Sequence, residues 1–201
     1  MAGRRLKPKK LSEEGLKTIA LGYIARYSVS TGSLRNFLMR RVETSGQRCG
    51  GSMKKEEVWI EALIAEFQKL GYLNDLKYAE NRVRSLLVKG KSMREVTAWL
   101  RGKKISHSDI DTVIETLKAE IGDLELYGAL ELARRKKIGP YSVCDIRAEK
   151  RDKALAIFAR AGFSYAVARR IIDCKTIKEL ELIFTNGESG NNLHYTDEIE
   201  I

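Results

Sequence analysis

Between Asn74 and Leu117 the apolar residues fall into three short stripes, each with helical spacing and each cut off by a breaker. Leu76, Ala79, Val83, Leu86 and Leu87 form the first stripe, behind Asn74 and Asp75 as capping residues. Gly90-Lys91 ends it. Ser92 opens a second helix, and Glu95 three residues on completes a capping box, in which each side chain satisfies an orphan N–H of the first turn. Met93, Val96, Trp99 and Leu100 are its apolar face, and Lys103-Lys104-Ile105 closes it. Ser106 and Asp109 start a third, striped by Ile110, Val113, Ile114, Leu117 and Ile121. None of these stripes is wide enough to bury itself, so the three helices must share a core.

The flanking segments follow the same plan. Upstream, a helix from Ser12 to Arg26 carries Glu13 and Glu14 in its first turn, where the helix dipole favours acids. Its stripe is Leu16, Ile19, Ala20, Tyr23, Ile24 and Tyr27. Ser30 starts the next, with Leu34, Phe37, Leu38 and Val42 inward. The glycine-containing stretch from Thr44 to Lys54 lacks periodicity and reads as a flexible loop. A helix from Lys55 to Leu70 follows, with Ile60, Leu63, Ile64, Phe67 and Leu70 in phase and Gly71 at its C-terminal cap. Superimposing Ser30 on Ser92 brings Leu34 onto Val96 and Leu38 onto Leu100. Superimposing Leu100 on Phe158 brings Ile105 onto Phe163 and Ser106 onto Ser164.

The expected fold is therefore all-α: three tandem three-helix repeats, about nine helices, stacked in an elongated, curved array. The expected divisions are a disordered basic arm over 1–11, a first repeat over 12–74 with a flexible insertion at 44–54, a second over 75–121 and a third over 122–174. A short terminal helix over 175–184, signalled by Thr176 and Glu179, and an acidic disordered tail over 185–201 complete it. Tyr72, Phe163 and Tyr165 flank the repeat turns and read as packing residues between repeats.

Charge narrows the function. The net charge is +10, although Glu188, Asp197, Glu198 and Glu200 make the tail acidic. Such a body attracts polyanions or an acidic protein surface. Basic residues recur at or near helix ends: Arg40 and Arg41, Arg82 and Arg84, Lys89 and Lys91, Arg101, Lys103 and Lys104, Arg134, Arg135, Lys136 and Lys137, Arg169 and Arg170. Cations at helix C-termini gain roughly 0.3–1 kcal/mol each from the dipole, which accounts for some of these but does not require so many adjacent pairs. They are the candidate contacts to an extended anionic partner.

Other chemistries find little support. Cys49, Cys144 and Cys174 are odd in number and far apart, as suits a reducing cytoplasm and neither a disulfide framework nor a metal site. Two histidines give too few ligands for zinc. Gly90-Lys91-Ser92 resembles the end of a phosphate-binding loop, but Ser85 stands where that loop needs glycine, and a helix precedes it where a strand should. Trp59 and Trp99 could stack on bases, yet Trp99 lies beside Leu100 on an apolar stripe, which favours core packing. The paired acids are helix starts, and no nucleophile–base pair stands out, so neither an enzyme nor a cofactor is expected. No apolar run approaches the roughly 18 residues of a membrane helix, and the basic start lacks the apolar segment of a secretory signal.

Several local patterns, in order, resemble the RecX family. They are Tyr23-Ile24-Ala25-Arg26-Tyr27-Ser28, Leu34-Arg35-Asn36-Phe37-Leu38, Leu70-Gly71-Tyr72-Leu73-Asn74-Asp75 with Tyr78-Ala79-Glu80, Lys89-Gly90-Lys91-Ser92, Leu100-Arg101-Gly102-Lys103-Lys104-Ile105 and Ala161-Gly162-Phe163-Ser164-Tyr165. The resemblance runs from about Ser12 to Asp173. It implies tandem three-helix repeats in a curved body. It also implies a non-enzymatic regulator that lies along the groove of the RecA–DNA filament and suppresses ATP hydrolysis, strand exchange and coprotease activity, with weak DNA binding of its own. It departs from the family pattern at Val42, at the Thr44–Lys54 insertion and at Lys104, where glycine is usual. A monomer acting on the RecA filament is the leading expectation. A stand-alone DNA-binding protein with helix-turn-helix-like units is the alternative, although no helix concentrates the Arg, Asn and Gln of a recognition helix. A helical scaffold for some other partner is a third.

Overall fold

A computed structural model describes residues 12–49, 54–142 and 147–185. The expected basic arm, residues 50–53 of the insertion and nearly all of the acidic tail lie outside the described residues. Among the described residues the chain is all-α. Its helices are α1 (Glu13–Ile24), α2 (Thr31–Cys49), α3 (Lys54–Lys69), α4 (Asp75–Val88), α5 (Met93–Gly102), α6 (His107–Ile121), α7 (Leu124–Lys136), α8 (Arg147–Arg160), α9 (Tyr165–Ile172) and α10 (Ile177–Thr185). A single 3₁₀ turn, Gly139–Tyr141, lies between α7 and α8.

The starts are set by short polar side chains. Asn74 Oδ1 accepts from Lys77 N–H at 2.8 Å, Ser106 Oγ from Asp109 N–H at 3.0 Å, Asp123 Oδ1 from Leu126 N–H at 3.0 Å and Thr176 Oγ1 from Glu179 N–H at 3.1 Å. Each satisfies one orphan donor of a first turn. The capping box at α5 is only half made. Ser92 Oγ accepts from Glu95 N–H at 3.4 Å, but the Glu95 carboxylate turns to Lys91 Nζ at 2.6 Å. The loop expected from Thr44 also starts later than the sequence implied. α2 continues to Cys49, and Thr44 Oγ1 donates to the Arg40 carbonyl at 2.8 Å, so its hydroxyl is satisfied without leaving the helix.

The chain forms two compact units. The first comprises residues up to Ala79 together with Leu100–Ile110; the second comprises Glu80–Trp99 and Asp111 onward. In the first, α3 packs on α1 and α2. Leu16, Ala20, Leu34, Leu38, Ile60, Ile64 and Phe67 are almost wholly buried there. Lys17 reaches Glu66 at 2.7 Å and Arg35 reaches Glu61 at 2.6 Å. In the second unit, α9 packs on α7 and α8 around Leu126, Ala129, Ala133, Phe158, Ala168 and Ile171.

One arrangement occurs in both units. In the first, the fully buried Ser30 donates from Oγ to the Lys103 carbonyl at 2.8 Å, and Thr31 N–H donates to Asp75 Oδ1 at 2.7 Å. In the second, the fully buried Ser92 donates to the Ala161 carbonyl at 2.9 Å, and Met93 N–H donates to Glu125 Oε2 at 2.7 Å. Ser30 and Ser92 are the residues that the sequence superposition pairs. The residue after each accepting carbonyl is left-handed: Lys104 at φ 62° and Gly162 at φ 86°. Ser92→Ala removes a donor and an acceptor from a buried site. It is expected to cost about 1.5–2 kcal/mol in urea unfolding, whereas Ser108→Ala, an exposed change, should stay within about 0.5 kcal/mol.

Some expected core positions are outside. Tyr27, Leu70 and Leu76 are 56%, 55% and 42% exposed. Tyr72 and Tyr165 are also exposed, so neither is a buried packing residue; Tyr72 stands T-shaped to Phe67 with 5.8 Å between ring centroids. Each lies at the margin of its stripe or in a turn, where spacing marks a face without fixing how much of it is covered.

Candidate functional site

The basic residues divide into those the fold uses and those it leaves at the surface. Arg82 on α4 lays its guanidinium over the Trp99 ring of α5, 4.3 Å from the centroid. Trp99 is thus half-buried under a cation and is neither wholly core nor a free platform. Arg84 is held by Glu80 at 3.1 Å and by both carboxylate oxygens of Glu120. Lys91 pairs with Glu95. Arg134 pairs with Glu131, a nearly buried carboxylate, at 3.0 Å. Arg135 donates to the Lys89 carbonyl, and Arg169 pairs with Asp173 at 3.1 Å. Lys103 is half-buried, and its carbonyl takes the Ser30 hydroxyl. Six candidates are therefore tied through their side chains: Arg82, Arg84 and Arg135 join different elements, while Lys91, Arg134 and Arg169 make local pairs three or four residues apart.

Arg40 and Arg41 on α2, Lys89 after α4, Arg101 and Lys104 at the end of α5, Lys136 and Lys137 at the end of α7, and Arg170 on α9 are exposed. Their side chains make no ion pair with a described residue. Lys137 caps α7 in the left-handed conformation at φ 53°, its N–H donating to the Ala133 and Arg134 carbonyls. The backbone is thus fixed while the ammonium is free to move, which suits contact with a polyanion by charge more than by shape.

In the second unit, Lys136 and Lys137 do not stand alone. Together with Lys150, Arg151, Lys153 and Lys175 they line a cavity of about 800 Å³. The last four escaped the sequence reading because Lys175 and the 150–153 segment are far from Lys136 and Lys137 in the chain and meet them only in the fold. The run Lys150-Arg151-Asp152-Lys153 was the available signal.

The acids respond to their partners. Arg35 holds Glu61 below the usual carboxylate range, Arg84 does so for Glu120, and Arg151, with Arg169, for Asp173. These groups stabilise the fold above the ordinary carboxylate pKa, near 4, and lose that contribution as pH falls through their lowered values. Glu125 moves the other way, because burial pushes its carboxyl up despite the Met93 N–H it accepts. Its ionisation therefore costs stability as pH rises from about 4 toward neutrality. Glu125→Gln keeps an acceptor for Met93 and removes the charge. Relative to the parent, this variant should gain stability between about pH 4 and pH 7. Urea unfolding at both pH values checks this; an unchanged difference would contradict it.

Among the described residues no group of three or more His, Cys, Asp or Glu side chains converges as metal ligands do, and no helix is long and apolar enough to cross a membrane. Cys174 is buried, donates to the Arg170 carbonyl at 2.9 Å, and has its thiol pushed up by burial and neighbouring acids. This is the opposite of an activated nucleophile.

No family model matches the chain. It is similar to the regulatory protein RecX of Myxococcus xanthus (strain DK1622), with 34% identity over 168 residues, 83% of this chain and 89% of that protein. It is also similar to the regulatory protein RecX of Agrobacterium fabrum (strain C58 / ATCC 33970), with 25% identity over 154 residues, 77% of this chain and 79% of that protein. Agreement at that level, over most of both lengths, is a relation of whole proteins and not of one shared motif: the chain belongs to the RecX family of regulatory proteins.

Proposed function

We propose that this protein regulates the RecA recombinase, mainly by inhibition, and so modulates DNA repair, recombination and the SOS response. It binds along the RecA–DNA filament and suppresses ATP hydrolysis, strand exchange and coprotease activity. Membership of the RecX family is the observation that carries this reading. The exposed cations add to it: Arg40, Arg41, Lys89, Arg101, Lys104, Lys136, Lys137 and Arg170 are available to a negatively charged polymer.

The chain acts in the cytoplasm as a monomer and catalyses no reaction. Its three helix triplets, divided near residues 74 and 121, bridge adjacent filament subunits. A ligand moves an equilibrium only through unequal affinity for its states, so inhibition requires tighter binding to the filament form that turns ATP over slowly.

Cosedimentation tests the binding step. RecA filaments on single-stranded DNA, held with a slowly hydrolysed ATP analogue, are pelleted with the protein present. It is expected in the pellet with RecA filaments and far less with bare DNA at the same salt. Pelleting equally with bare DNA would favour the alternative, a stand-alone DNA-binding protein, whose affinity must fall steeply with salt. Remaining in the supernatant in both cases would remove both readings.

A further inference from the structure

We propose that the cavity at the end of α7 in the second unit is a binding site for a nucleoside phosphate, free or as part of a single strand. Lys136, Lys137, Lys150, Arg151, Lys153 and Lys175 line it, and among the described lining residues the one carboxylate is Asp173. That carboxylate is already engaged, by Arg151 and by Arg169, and the two arginines keep it ionised. With Asp173 taken up by the arginines, Lys136, Lys137, Lys150 and Lys153 leave the described lining with a cation excess.

Folding does not ask for this convergence. Lys136 and Lys137 complement the α7 dipole, but Lys150 lies in the first turn of α8 and Lys153 at its middle, where the dipole gives a cation no return. Bringing like charges around one cavity costs free energy, which a bound anion reverses.

The kind of anion follows from the donors. Arginine's planar fork serves carboxylate and phosphate alike, whereas several lysines around one cavity act as separate point charges and suit a multiply charged group such as phosphate. Arg151 is committed to Asp173, so the donors turned to a ligand are Lys136, Lys137, Lys150 and Lys153. The apolar part of the lining, Ile138, Ala154, Ile157, Ile172 and Cys174, offers nothing to an inorganic phosphate but accepts the face of a base. A volume of about 800 Å³ lies within the ordinary range for small-ligand sites. Ser142 is the one uncharged polar side chain in the lining, so the base is held by its face and its identity is not read.

Fluorescence anisotropy on the full chain tests this without RecA, so its outcome is independent of the regulatory reading. The probes are a fluorescent ATP derivative and a fluorescein-labelled tetrathymidylate. At least one should bind, and which one tells a free nucleotide from a strand. Lys137→Glu/Lys153→Glu should weaken that binding about tenfold or more, while Arg40→Glu/Arg41→Glu, the same charge change on α2, should weaken it less than about threefold. Lys137→Ala/Lys153→Ala, with helicity checked by circular dichroism, guards against misfolding of the reversed variant. Inorganic triphosphate should compete about tenfold less well than unlabelled ATP or tetrathymidylate. Binding of neither probe, equal losses in the two reversed variants, or equal competition by triphosphate would each overturn the proposal.

Discussion

Phe158→Ala should destabilise the protein by about 3–5 kcal/mol, among the largest losses expected of a single truncation. The ring is fully buried and stands edge-on to Phe163, 5.8 Å between centroids. It sits where α8 meets α9, with Ala154, Ala168 and Ile171 around it. The cost depends on how far the surrounding side chains can collapse into the space the ring leaves. The aromatic pair adds about 0.5–1.5 kcal/mol beyond area. Val58→Ala, at a site 67% exposed, is the control and should stay within about 0.5 kcal/mol. Urea unfolding followed by circular dichroism measures both; a loss below about 1.5 kcal/mol for Phe158→Ala would contradict the assignment of this ring to the core.

Gly32→Ala should cost about 2–3 kcal/mol, although alanine is the better helix former by roughly 1 kcal/mol. A Cβ at Gly32 would overlap the Lys104 Cβ and stand 3.0 Å from the Lys103 carbonyl oxygen. The second unit shows the same joint with the two roles exchanged. There Arg94 occupies the place of Gly32, and Gly162 the place of Lys104; a Cβ on Gly162 would stand 2.8 Å from Ser92 Oγ and 2.9 Å from an Arg94 guanidinium nitrogen. Each joint accommodates one side chain and needs a glycine opposite. This accounts for Lys104, a non-glycine residue at φ 62° that departs from the family pattern: the room glycine would have given comes from Gly32. Lys104→Gly should be neutral or stabilising by up to about 1 kcal/mol, since it removes a left-handed penalty of roughly 1–2 kcal/mol at some cost in unfolded-chain entropy. In the double variant most of the Gly32→Ala loss should vanish, giving a coupling of about 1.5 kcal/mol or more. Simple additivity would show that the two residues do not share the space.

Much of the fold was legible because its signals are local. Asn74, Ser92, Ser106 and Thr176 cap the helices they were expected to open, since a cap needs only the residue and its own first turn. What failed depended on partners distant in sequence. The capping box directs the Glu95 carboxylate to the Ser92 N–H, but it goes to Lys91, and the neighbouring Met93 N–H is met by Glu125 from 32 residues away. Tyr27 and Leu76 have the right spacing and lie outside, because periodicity gives a direction and not the extent of the neighbour that covers it. The basic surface divides the same way. Charge alone picked out Arg84, Arg134 and Arg135 alongside Lys136 and Lys137. Only the fold reveals that the first three are bound to Glu120, Glu131 and the Lys89 carbonyl.

The sorting of the cations changes which variants are informative. Reversing Arg134 or Arg135 would disturb the fold as well as any interface, whereas Arg40, Arg41, Lys136 and Lys137 can be reversed with helicity intact. Slower ATP turnover by RecA in the presence of this chain is the expected outcome on which the proposed function stands, and the rate of ATP hydrolysis by RecA on single-stranded DNA measures it. With saturating protein the rate should fall, and the Arg40→Glu/Arg41→Glu and Lys136→Glu/Lys137→Glu variants should need more protein for the same fall. Hydrolysis and filament length both unchanged at saturation would contradict the account.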